Sequence, residues 1–170
     1  MMKEVEEIVN TYGWKYSVYH NFEKHGYGIN NKITGIRFSP PACETVSLCF
    51  FKDCTLCDPH YLQYGSSLQP GEIYTHSVKT QFTGLANHII VVSLLKYLAR
   101  KYFESFVLED DSKYFETENP AIAQQKFETY DEFLRTTSTA IQILAMRADE
   151  GIGDYAKRLA KYLEQNSKKK

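Results

Sequence analysis

Cys54-Thr-Leu-Cys57, with His60 three residues further on, is the stretch of this 170-residue chain best suited to chemistry. Thiolates at that spacing can take adjacent corners of a tetrahedron, and imidazole can supply a third ligand, so zinc is the ion the segment would suit. A structural zinc site ordinarily joins two such knuckles. Here there is no second C-x-x-C and no H-x-x-x-H, and Asp58-Pro59 stands where a glycine often follows the second cysteine. A thioredoxin-like redox role needs the motif at the start of a helix after a strand, and Pro59 disfavours one there. Ordinary buried or loop thiols are therefore the first reading, metal the second and redox the third. Cys49, between Leu48 and Phe50, reads as a small core hydrophobe. Cys43, after Pro40-Pro41, is the least implausible nucleophile and has no positive support.

Histidine and tyrosine supply the next candidates. His20 and His76 fall on segments that alternate with period two, each sharing a face with aromatic residues. If those strands are neighbours, the two rings approach, and beside a carboxylate they can exchange protons near neutral pH. The favoured reading is that each is a half-exposed strand residue. His88 reads as a hydrogen-bonded packing residue of a buried helix. Aromatic residues make up 14% of the chain, with 13 Tyr and 10 Phe but one Trp. Tyrosine joins apolar area to a polar tip, which suits interfaces and ligand pockets. Tyr16, Tyr19, Tyr74 and His76 are thus the expected ligand- or partner-binding residues. Glu109, Asp110, Asp111, Glu116 and Glu118 can converge on a divalent cation if they flank a hairpin, or face a basic partner, but a solvated turn is favoured.

Charge narrows the partners. Lys and Arg number 20 against 21 Asp and Glu, for a net charge of -1. That gives no electrostatic reason to expect nucleic acid or an anionic membrane, so the expected partner is a protein or a small molecule. Ile89 to Leu95 is too short to span a bilayer. The start MMKEVEEIVN has no apolar signal region, and four cysteines without an export signal predict reduced thiols in a cytoplasmic setting. No G-x-S-x-G elbow, P-loop, G-x-G-x-x-G or H-E-x-x-H occurs.

The elements that must position these residues follow from periodicity. Val5, Ile8 and Val9 predict a helix over 3–12, stopped by Gly13. Strands are predicted over 14–20, 33–39, 44–51 and 72–82, paired antiparallel because most connections are too short for helical crossovers. A long buried helix should run from an N-cap at Thr83 to Phe103. Two short strands, 105–110 and 114–117, should follow. Asn119-Pro120 opens a helix. Thr129 to Glu132 forms a capping-box pattern ahead of another, Gly151-Ile-Gly153 breaks it, and Asp154 caps the last. The segregation of strands from helices predicts an α+β fold. The expected architecture is one domain over 1–170: an N-terminal helix, a strand-rich 14–82, a helix-rich 83–165 and a frayed lysine tail over 166–170. Its antiparallel sheet of about four to six strands should carry the long central helix and the C-terminal helices on one face. The expected function is a non-catalytic ligand- or protein-binding module using an aromatic-rich sheet face, with no cofactor. The alternative is a small metal- or thiol-dependent enzyme built on Cys54, Cys57 and His60, with zinc as the possible metal.

Overall fold

The computed structural model describes residues 1–22, 32–52, 54–59 and 75–167. It has an α+β fold that divides into two compact units, Met1–Leu108 and Glu109–Lys170. The first holds α1 (Met2–Thr11), β1 (Lys15–Phe22), β2 (Ile33–Ser39), β3 (Val46–Phe50), β4 (Leu56–Cys57) and α2 (Leu85–Tyr102). The second holds α3 (Tyr114–Thr117), α4 (Pro120–Ile143) and α5 (Ile152–Ser167). No helix among the described residues is long and apolar enough to cross a membrane.

The four strands form one antiparallel sheet in the order β1-β2-β3-β4. Alternation sends Tyr16 and Val18 of β1, Ile36 and Phe38 of β2, and Val46 and Leu48 of β3 to one face, where α1 and α2 cover them. Val5 and Val9 of α1 and Val91, Leu94 and Leu98 of α2 complete that core, with Trp14 stacked on Phe38 at 5.8 Å. Burying side chains such as Phe38, Ile36 and Leu98 contributes about 1.5–3 kcal/mol each. Gly13, at φ +64°, takes the left-handed turn that ends α1 and lets Trp14 N–H reach Val9 O at 2.9 Å.

The opposite face is built in rows across the strands. One row is Ser17, Arg37 and Ser47, and the next is Tyr19, Gly35, Cys49 and Cys57. A Cβ on Gly35 would overlap the Leu48 carbonyl oxygen and the Cys49 Cα, so β2 and β3 pair closely there only because the residue is glycine. Between Tyr19↔Gly35 and Phe22↔Ile33 the register slips, leaving His20 and Asn21 together opposite Thr34 as a bulge.

Several predicted elements are replaced. The described part of 72–82 is not a strand. His76, Val78 and Thr80 do alternate with exposed neighbours, but the segment lies beside the start of β3 and is held by individual bonds. Lys79 N–H donates to Glu44 Oε2 at 2.9 Å, and Glu44 N–H to Lys79 O at 3.3 Å. The fourth strand is instead the two-residue β4. The stretches 105–110 and 114–117 form no hairpin, because the Asp110 carboxylate takes local donors. It accepts from Ser112 N–H, Ser112 Oγ and Phe115 N–H, each at 2.9 Å, and residues 114–117 become one helical turn. The acidic stretch is thus organised around a turn.

Among the helices, α2 begins one residue beyond its expected cap: Gly84 (φ +80°) is the N-cap, and the Thr83 hydroxyl donates to Pro41 O. Asn119 caps α4 as expected, its Oδ1 accepting Ala121 N–H at 2.9 Å. The capping box at Thr129 is unused. Its hydroxyl bonds Gln125 O at 2.8 Å within a continuous helix. Gly151 starts α5 by accepting Tyr155 N–H at 3.0 Å, and Asp154 sits in the first turn.

Candidate functional site

Asp58, His76, Arg37, Ser47, Cys49 and Cys57 lie beside one another around β3 and β4. Asp58, directly after β4, is only 4% exposed. Its Oδ1 lies 3.7 Å from Arg37 Nε and its Oδ2 lies 3.7 Å from His76 Nδ1. These are ion-pair separations rather than hydrogen bonds. The other imidazole nitrogen, His76 Nε2, lies 3.0 Å from Thr45 O and 3.2 Å from Ser47 N. With the proton on Nδ1, Nε2 accepts from Ser47 N–H; with it on Nε2, the ring donates to Thr45 O. In either state the imidazole acts as a bracket on the β3 backbone. Arg37 Nε is buried and, among the described residues, makes no hydrogen bond.

The Ser47 hydroxyl is engaged, and the Cys49 and Cys43 thiols are pushed up. The Ser47 hydroxyl donates to Cys57 O at 3.3 Å. Burial pushes the Cys49 thiol up to about 11, and the Ser47 hydrogen bond and the Arg37 charge offset it only in part. Cys43 is likewise pushed up to about 11, by burial first and by the Glu44 charge second. A thiol held protonated at neutral pH is a poor nucleophile.

A second feature lies where β2 begins and β3 ends. A cavity of about 870 Å³ opens there against the first residues of α1. Its walls are Met1, Met2, Phe50 and Phe51, with Lys32 and Lys52 also lining it. Thr34, paired with Phe50 in the sheet, and Cys54 complete the described lining. Small-ligand sites run from about 300 to 1,000 Å³, with mostly apolar walls and a few placed polar groups. Of the two features, this one has room for a ligand.

No protein-family model, curated protein or solved structure matches the chain.

The expected site residues are distributed as follows. Tyr16 faces the helices; its hydroxyl donates to Glu6 Oε1 and accepts from Asn10 Nδ2, both at 3.1 Å. Tyr19 lies on the opposite face, packed against Ile33, Cys49 and Cys57. The sheet therefore separates these two tyrosines. His76 joins Arg37 and Asp58. Tyr74 and His60 lie outside the described residues. His20 is exposed at the bulge of β1, the edge strand farthest from β4, and does not meet His76.

The two cysteines of the C-x-x-C also diverge. Cys54 occupies a left-handed position (φ +68°) in the β3–β4 turn and is exposed at the cavity. Cys57 is buried opposite Cys49. Among the described residues, no three Cys, His, Asp or Glu side chains gather as a metal site. Arg37, Asp58, Lys32 and Lys52 were missed from sequence. The available signal was faint: a lone arginine in the otherwise uncharged strand Ile33–Ser39, and lysines flanking two apolar strand ends.

Proposed function

We propose that the first unit is a non-catalytic binding module for a small molecule with an apolar body, working in a reducing cytoplasm without a cofactor. The observation that carries this reading is the cavity at the β2–β3 end, walled by two methionines and two phenylalanines. The state of the acid–base residues supports it. His76 is engaged with the β3 backbone, the Ser47 hydroxyl with Cys57 O, and Cys49 is protonated. The near-zero net charge favours a small molecule over nucleic acid.

The test uses N-phenyl-1-naphthylamine, an uncharged apolar fluorophore. The native protein should enhance its emission saturably with one site per chain. Thr34→Trp, which fills the cavity from an exposed strand position, should abolish the enhancement while leaving the thermal melt in place. Absence of saturable binding, or equal binding by Thr34→Trp, would overturn the assignment. Elemental analysis addresses the alternative: about one equivalent of zinc, lost on Cys57→Ser, would move the functional centre to the Cys54–His60 segment.

A further inference from the structure

The cavity's composition says more than that it is apolar. A pocket built only to hold a neutral molecule has no use for two cationic residues at its border, yet Lys32 and Lys52 both line it. They arrive from different places: Lys32 directly precedes β2 and Lys52 follows β3. Antiparallel pairing of Thr34 with Phe50 brings these two strand ends together. The cations are thus converged by the sheet register rather than by neighbourhood in sequence. Met1 and Met2, at the start of α1, line the same cavity. Beside Thr34 and Cys54, the described lining holds flexible or flat hydrophobes, Met1, Met2, Phe50 and Phe51, which adapt to an alkyl chain.

Resting on the cavity reading above, we propose that this site binds an amphipathic anion: a medium-chain carboxylate whose tail lies on the methionines and phenylalanines and whose headgroup meets Lys32 and Lys52. Lysine suits this role as a mobile point charge that can follow a headgroup at the mouth of a pocket. Chain length should govern affinity until the cavity is full, at about fourfold per buried methylene.

Displacement of bound N-phenyl-1-naphthylamine by dodecanoate, with dodecanol as the uncharged control, tests this below the aggregation concentration of either. Dodecanoate should displace the fluorophore about tenfold more effectively than dodecanol. The advantage should shrink as salt is raised. Lys32→Met with Lys52→Met keeps the aliphatic stems and removes both charges. It should bring dodecanoate to the level of dodecanol, both compared within the variant, while a cooperative thermal melt reports that the variant is folded. Cys54 borders the cavity and is exposed, so saturating dodecanoate should slow its alkylation by iodoacetamide. Equal displacement by acid and alcohol, or an undiminished preference in the double variant, would overturn the anion assignment while the cavity reading stands. Displacement without protection of Cys54 would place the ligand elsewhere and overturn it as well. Failure of the fluorophore itself to bind would remove both readings.

Discussion

His76 shows how a titratable side chain can be structural. Its ring takes the place of a neighbouring strand, matching either the Ser47 amide or the Thr45 carbonyl, according to tautomer, where β3 begins. Removing it leaves the group it matches part-buried and without that partner, a cost of about 1–3 kcal/mol. His76→Ala should therefore destabilise the protein by that amount in chemical denaturation. It should leave fluorophore binding at the cavity unchanged at temperatures where the variant is folded. A variant as stable as the native chain would show that the bracket contributes nothing. Glu4 is the second residue whose chemistry is tied to stability. Its carboxylate accepts from Lys101 Nζ at 2.8 Å, from Tyr102 Oη at 2.5 Å and from Tyr97 Oη. The Lys101 hydrogen bond is the largest influence, and the carboxyl is held down at about 2 against an ordinary 4.5. Because the folded value is depressed, the stabilisation is full above about pH 4.5 and is lost as the pH falls toward 2. Glu4→Gln should lower the melting temperature at neutral pH, and its difference from the native protein should fade across that acid interval. A difference that persists undiminished at pH 2 would contradict the linkage.

Elements are decided by pairing as much as by propensity, and Gly35 is the sharpest case. It lies between Tyr19 and Cys49 in the row across β1, β2 and β3, and any side chain there would meet the β3 backbone. Backbone cannot yield as a flexible side chain can. Gly35→Ala should thus cost about 3 kcal/mol, the upper range of overpacking, and should loosen the amide protection of Leu48 and Cys49. Protection and stability equal to the native protein would mean that β2 and β3 shift apart freely. The same dependence on pairing explains what the sequence conveyed. The periodicity of Ile33–Ser39 and of Val46–Phe50 was legible because one face of each enters the helix-covered core. The two residues of β4 were not, since their strand character comes from facing Cys49 and Phe50 across the turn at Cys54. Residues 105–117 looked like a hairpin because spacing carries no record of Asp110 spending its carboxylate on Ser112 and Phe115. At the candidate site, His76 was visible as a residue type. Its partners Arg37 and Asp58 were hidden because only register and chain path bring the three together. Lys32 and Lys52 were hidden for the same reason.

On the scale of the whole molecule, the distribution of buried side chains sets what can fold alone. Every member of the main core, from Val5 of α1 to Leu98 of α2 and the flanking Phe103, belongs to the first unit. So does the smaller cluster of Ile33, Cys49 and Cys57. Glu4, near the start of α1, bonds Tyr97, Lys101 and Tyr102 at the end of α2, so the unit is fastened at both ends of its own chain. About a hundred residues is enough for a self-supporting core. Residues 1–108 expressed alone should therefore unfold in one cooperative thermal transition. They should bind N-phenyl-1-naphthylamine as the intact chain does, since the described lining of the cavity lies within them. Glu4→Gln introduced into this fragment should reproduce the acid-dependent loss seen in the full protein. A soluble fragment without a cooperative melt would show that the core requires residues beyond 108. A cooperative fragment that no longer binds would instead place part of the ligand site in the second unit.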